Sequence, residues 1–176
     1  MRQEAVDTRE ERSSHAGGAC PIGRASSVLG DRWVLLIMRN ATLGSTRFDE
    51  FRSELGIADN ILSNRLGRLV EAGLLTRTPY RDESGRGRHE YRLTGAGVDL
   101  LPVLNALAAW GEAHTSPAEP AEPMRILHAT CGHTLGAHQY CEHCGREAVH
   151  GEMAWLRPWR SPEAVLLADA VSEPDR

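Results

Sequence analysis

The chain has 176 residues, about one domain's worth, and its 41% hydrophobic and 25% charged residues fit neither a disordered nor a fibrous class. All 20 basic residues are Arg, set against 24 acids. The net charge of −4, taken over the whole chain, argues against a nucleic-acid partner. That average conceals segments: residues 60–92 hold seven Arg against four acids, whereas everything after His114 holds five against nine.

The first 18 residues are polar and lack the apolar core of a signal peptide. The longest strongly apolar run, 33–38, is far short of the roughly 20 residues that span a bilayer. The expected setting is the cytoplasm, with no membrane partner. Of four cysteines, Cys20 stands alone while Cys131, Cys141 and Cys144 cluster. In a reducing compartment such close spacing points to metal more than to disulfides.

In chain order, residues 1–18 read as an arm that buries little. Cys20-Pro21 opens a first helix, with Cys as cap and Pro at the first helical position. Gly30-Asp31 ends it and starts a second, whose apolar face is Trp33, Val34, Ile37 and Met38. In 47–55, Phe48, Phe51 and Leu55 share one side, and Gly56 closes that helix. The next runs over about 59–72 on a stripe of Leu62, Leu66, Leu69 and Val70. Two short helices about a Gly-containing turn match the helix-turn-helix pattern.

Past Gly73 the period changes. Segments 74–80 and 89–93 suit strands, and the basic, Gly-rich run 81–88 between them reads as a hairpin tip. Thr94 caps a last helix to about 114, which Pro102 kinks or delays. The broad apolar face of that helix is one a second subunit could cover. Residues 115–123, with three Pro, form a linker to a module at 124–176. There Ser161-Pro162-Glu163 is read as the cap of a short helix through Val171.

The second helix of the pair leaves Asn60, Ser63, Asn64, Gly67 and Arg68 outward. Asn and Arg make bidentate contacts with base edges in a major groove, and small Ser63 and Gly67 permit close approach. Arg65 joins this candidate DNA-binding set. Arg81, Arg86 and Arg88 at the hairpin tip suit phosphates or a narrow minor groove.

In the tail, His128-Ala-Thr-Cys131-Gly and Cys141-Glu-His-Cys144-Gly are two ligand pairs, each followed by Gly. Four N/S ligands with no open position suit structural Zn2+, with His133 as an alternative to His128. His138, His143 and His150 are less well placed. His150-Gly-Glu152 superficially resembles the H-x-E of zinc deaminases, but it follows the Cys pair instead of preceding it. The expectation is therefore a non-enzyme.

Residues 20–110 resemble the HxlR-type winged helix-turn-helix regulators, relatives of the MarR group. The resemblance rests on Cys20-Pro21-Ile22, Leu29-Gly-Asp-Arg-Trp33, Arg47-Phe-Asp-Glu-Phe51, Leu62-Ser-Asn-Arg-Leu66, Leu69-Val-Glu-Ala-Gly-Leu-Leu75, Glu90-Tyr-Arg-Leu-Thr94 and Leu100-Leu-Pro-Val-Leu104. It implies a mainly α fold with a β-hairpin wing over 19–114, followed here by a small zinc-ribbon-like module. It further implies a homodimer on a roughly palindromic operator, with 59–72 as recognition helix and 75–93 as wing. Cys20 corresponds to the cysteine that senses oxidants or electrophiles in part of that family. A thiol at a helix N-terminus faces the positive end of the dipole, which favours thiolate. A small-molecule effector is an equal expectation, and the competing reading is a zinc-stabilised protein-interaction module that does not bind DNA.

Overall fold

The computed structural model describes residues 18–136 and 139–171. Nearly all of the expected arm, together with His138, lies outside the described residues.

Helix α1 (Pro21–Leu29) starts where the Cys20 Sγ accepts from the Gly23 amide at 3.4 Å, so Cys20 is the cap that Pro21 implied. Asp31 caps α2 (Arg32–Thr42) through a 2.8 Å bond from the Trp33 amide, and α2 buries Val34, Ile37 and Met38. Helix α3 (Phe48–Leu55) buries Phe51 and ends at Gly56. Helix α4 (Asp59–Glu71) buries Leu62, Leu66 and Leu69, the heptad-like stripe that its sequence spacing requires.

Strands β1 (Leu75–Arg81) and β2 (Gly87–Leu93) pair antiparallel from Leu75↔Leu93 to Arg81↔Gly87. The hairpin is anchored to the helix pair at its base. An isolated bridge joins Arg47 to Glu90, and the Tyr91 amide donates to the Thr46 carbonyl at 2.7 Å. The helix expected over 94–114 is two. Thr94 does cap, accepting from the Gly97 amide at 3.0 Å, but α5 (Gly95–Val98) stops after four residues. Helix α6 (Leu101–His114) then begins with Pro102 in its first turn, where the missing N–H costs nothing.

Beyond the exposed linker, β3 (Arg125–His128) pairs with β6 (Met153–Leu156), which pairs with β7 (Val165–Leu166). A two-residue ladder, β4 (Tyr140–Cys141) with β5 (Arg146–Glu147), lies apart from this sheet. The helix expected after Ser161-Pro162-Glu163 is not formed: Val165 and Leu166 extend the sheet, and the Leu167 amide donates to Met153. Ser161 does accept locally from the Glu163 amide. The free edge of β6 then recruits the next apolar residues as a strand, where bonds and burial outweigh a cap signal.

The tail is docked on the helical domain, and the two share one apolar core. Trp155, 2% exposed, donates its indole N–H to Asn105 on α6 at 3.0 Å. The Ala168 amide donates to Thr42 at the end of α2, and the Val171 amide to Leu93 at the end of β2. The wide face of α6 is thus partly covered by the chain's own tail. Val103, Leu107 and Trp110 stay exposed at 49%, 47% and 58%. Among the described residues no helix is long and apolar enough to cross a membrane.

Candidate nucleic-acid interface and metal centre

Burying Leu62, Leu66 and Leu69 turns Asn60, Ser63, Asn64 and Arg68 outward on α4, and all four are exposed. Arg68 also reaches the Ser27 carbonyl at 3.3 Å. Arg65 is differently placed. Its guanidinium holds Asp31 Oδ2 at 2.8 and 2.7 Å, so it fastens α4 to the start of α2 instead of standing free at the surface. The Arg65 bonds, opposed by desolvation, hold the Asp31 carboxyl below its usual value.

Because that pKa is depressed in the folded state, the stabilisation is complete above about pH 4 and fades as the pH falls further. Arg65→Gln is expected to lower stability by about 1–2 kcal/mol near neutrality. Urea midpoints measured from pH 6 downward should show the difference from the parent shrinking below about pH 4.

The wing tip is built around Asp82. Its Oδ1 accepts from the Ser84 hydroxyl and amide and from the Arg86 amide, at 2.6, 3.0 and 2.9 Å. These bonds, led by the Ser84 hydroxyl, hold its carboxyl down at about 2. Arg88 contacts Asp82 at 3.2 Å and Asp49 on α3 at 3.9 Å, while Arg81 donates to the Gly85 carbonyl. Arg86 is exposed and forms no ion pair among the described residues. One wing contact escaped sequence reasoning: Arg47 lies 5.2 Å over the Tyr80 ring, joining α3's cap residue to β1.

In the tail, His128, Cys131, Cys141 and Cys144 place their ligand atoms within 4.8 Å of one another. His128 Nδ1 lies 3.4 Å from both Cys131 Sγ and Cys144 Sγ, and Cys131 Sγ lies 3.6 Å from Cys141 Sγ. Tetrahedral Zn–N and Zn–S bond lengths give ligand-to-ligand edges of about 3.6 and 3.8 Å, close to these spacings. Both turns depend on glycine. Gly132 and Gly145 follow the second ligand of each pair at φ +75° and +67°, letting their amides bond back to His128 and Cys141.

His133 is outside the cluster, stacked on His143 at 4.0 Å, so His128 is the histidine brought to the cysteines. Burial opposes ionisation of the Cys141 thiol, but bonds from the Cys144 amide and the surrounding ligands bring it down to about 6. Cys144 is pushed up to about 11 by burial and its two thiol neighbours. One negative charge enters this cluster readily and further ones repel, which is the imbalance a cation relieves.

The groups behind His128 are not marked by any spacing in the sequence. His128 is fully buried, and its Nε2 faces Glu152 at 3.6 Å and Arg146 at 3.5 Å. Arg146 grips both Glu152 oxygens at 2.7 and 2.8 Å. A carboxylate behind a ligating imidazole fixes the ring and its tautomer, leaving Nδ1 for the ligand position. The His150-Gly-Glu152 run therefore contributes its Glu as a support for His128. His150 bonds the Ala168 carbonyl instead.

A helix pair with an exposed polar second helix and a basic hairpin beside it defines a winged helix-turn-helix DNA-binding fold. The HxlR-like helix-turn-helix family matches residues 28–119, and the chain belongs to it. An HTH-type transcriptional regulator of Mycobacterium bovis, Mb3122, is 42% identical over 134 residues, 76% of this chain and 83% of that protein. YvaP of Bacillus subtilis, bearing the same description, is 33% identical over 56% of this chain and 92% of its own. Among solved structures, the crystal structure of PA1607, described as a candidate transcription factor, superposes with a TM-score of 0.61. It is 38% identical and spans 77% of this chain and 93% of its own. The chain is a helix-turn-helix transcription regulator.

Proposed function

We propose that the protein binds an operator as a homodimer, α4 in the major groove and the wing on the backbone or minor groove. The observation that carries this reading is the exposed polar face of α4 (Asn60, Ser63, Asn64 and Arg68) opposite its buried leucines. Asn60 and Asn64 supply the amide forks suited to adenine and Arg68 the fork suited to guanine, while Arg81, Arg86 and Arg88 hold phosphates. Val103, Leu107 and Trp110 on α6 and Ile22 on α1 are exposed apolar side chains that a second copy would cover.

The test is a salt-dependent mobility shift on DNA upstream of the protein's own gene. Binding is expected to weaken steeply between low and moderate salt. Asn64→Ala should cost about 1–3 kcal/mol on that DNA and little on unrelated duplex. No binding at low salt would overturn the proposal and favour the protein-interaction reading.

Structural Zn2+ at His128, Cys131, Cys141 and Cys144 completes the proposal. It would hold the two ligand turns together and close the tail without offering an open position for chemistry. Control by oxidants is assigned to Cys20, which is exposed at the start of α1. The redox regulator HypR, in its oxidized form, superposes with a TM-score of 0.50 and 28% identity over 56% of this chain and all of its own. With the other thiols committed to metal, Cys20 would react with an electrophile, a small thiol or the partner's Cys20. Cys20→Ser is expected to abolish oxidant-induced loss of DNA binding, and an unchanged oxidant response would overturn that assignment.

A further inference from the structure

The wing is packed on the helices at its base and stands clear of them further out. Leu75, Tyr91 and Leu93 are buried, whereas residues 76–90 include no buried one. Two backbone ties fasten the base: the Tyr91 amide on the Thr46 carbonyl, and the bridge from Arg47 to Glu90. Beyond them an open cleft of about 530 Å³ separates the wing from the start of α3. Arg47, Asp49 and Glu50 line one side, and Tyr80, Asp82 and Arg88 the other. Strands rising about 3.4 Å per residue carry the tip about 14 Å past the Tyr91 tie, so a tilt of about 10° moves it by about 2 Å.

Two side-chain contacts cross the cleft. Asp49 reaches Arg88 at 3.9 Å, but each has a nearer partner: Arg52 lies 3.0 Å from Asp49, and Asp82 3.2 Å from Arg88. The other contact is better supported. The Arg47 guanidinium lies 5.2 Å over the Tyr80 ring, one residue pair short of the ladder's end. Glu90 Oε1 is 3.8 Å from Arg47 Nε, while Glu90 Oε2 accepts from Arg92 at 2.8 and 3.1 Å. A carboxylate pinned by Arg92 thus steers the guanidinium. The Arg47 backbone is fixed as well, since its amide and that of Thr46 donate to Glu50 at 2.9 and 2.8 Å. A planar guanidinium over a ring face is a directional contact.

We infer that Arg47 is the positioning residue of the wing: over Tyr80, it sets the wing's tilt against α3 and α4. That tilt decides which stretch of DNA backbone the tip reaches. The inference rests on the winged DNA-binding reading above. Arg47 acts through Tyr80, and base recognition by α4 does not pass through it.

Three variants test this: Arg47→Gln; Tyr80→Leu, which keeps the charge and removes the ring; and Tyr80→Phe, which keeps the ring. In the free full chain, residual dipolar couplings of the β1 and β2 amides against those of α3 and α4 read the tilt. On DNA upstream of the protein's own gene, a hydroxyl-radical footprint reads where the wing falls. Arg47→Gln and Tyr80→Leu are expected to change the couplings of the outer wing and to blur the protection flanking that of α4. Each should weaken binding about two- to fivefold. Tyr80→Phe should match the parent in all three measurements. Unchanged couplings in both Arg47→Gln and Tyr80→Leu overturn the inference. So does a salt slope lowered by about one per subunit in Arg47→Gln while Tyr80→Leu keeps the parent's footprint, because Arg47 is then a phosphate contact. If the parent binds no DNA, the operator reading fails, and the couplings still decide whether Arg47 sets the tilt.

Discussion

Replacing Cys141 by Ser is expected to abolish metal binding and to release residues 124–171 from ordered structure, while the helices of residues 20–114 remain. Little else holds the two candidate ligand turns. The ladder of β4 with β5 is two residues long, and between Leu135 and Met153 the buried apolar side chains among the described residues are Leu135, Cys141, Ala148 and Met153. Structural Zn2+ supplies about 10–16 kcal/mol in comparable small ligand sets, far more than such a ladder does. Serine keeps the size but not the thiolate, so a site of three ligands loses geometry and affinity together. Native mass spectrometry should show one zinc per chain in the parent and none in Cys141→Ser. Hydrogen exchange should show lost protection in β3, β6 and β7. Retained zinc with unchanged protection would refute the structural role.

That loss should reach the DNA-binding half, because the last described residues act as a strap. Leu167 bonds onto Met153 of β6, Ala168 onto Thr42 at the end of α2, and Val171 onto Leu93 at the base of the wing. One extended segment therefore links the tail to both elements that set the position of the helix pair. On the zinc proposal, chelation is expected to weaken operator binding by loosening α2 and β2.

How much of this was legible beforehand depends on the range of the signal. The Leu62-Leu66-Leu69 stripe, Pro21 after Cys20 and the His-x-x-Cys and Cys-x-x-Cys spacings are local, and each has a direct counterpart in the structure. The wing followed from a change of period at Gly73. What stayed hidden joins residues far apart. Arg65 reads as an exposed groove-facing Arg until Asp31, 34 positions earlier, is placed beside it. Val165 to Leu167 read as helix because nothing nearby reveals that β6 has an edge to fill. Glu152 drew notice only within a superficial H-x-E, since spacing does not show that it stands behind His128. Periodicity tells which side chains are buried but not against what, and the docking of the tail is a question of the second kind.

The docking itself turns on Trp155. Trp155→Ala is expected to lower stability by about 3–5 kcal/mol and detach the sheet from α6 while the metal stays bound. Trp155 lines, with Leu35, Leu36, Leu104 and Met124, an apolar space of about 170 Å³. Its removal also orphans Asn105 Oδ1, on a residue whose Nδ2 is already buried without a partner among the described residues. Trp155→Phe separates the two effects. It keeps most of the apolar contact and loses the N–H with part of the ring, so it should cost about 1–3 kcal/mol. Asn105→Leu, combined with Trp155→Phe, removes both polar partners and should recover part of that loss, since neither is then left unsatisfied. Urea midpoints give the four stabilities, and exchange protection of the β6 amides reports detachment. If the double variant is no better than the sum of the singles, the buried bond is not what holds the tail in register. If β6 protection survives Trp155→Ala, the strap from Leu167 to Val171 carries the docking instead.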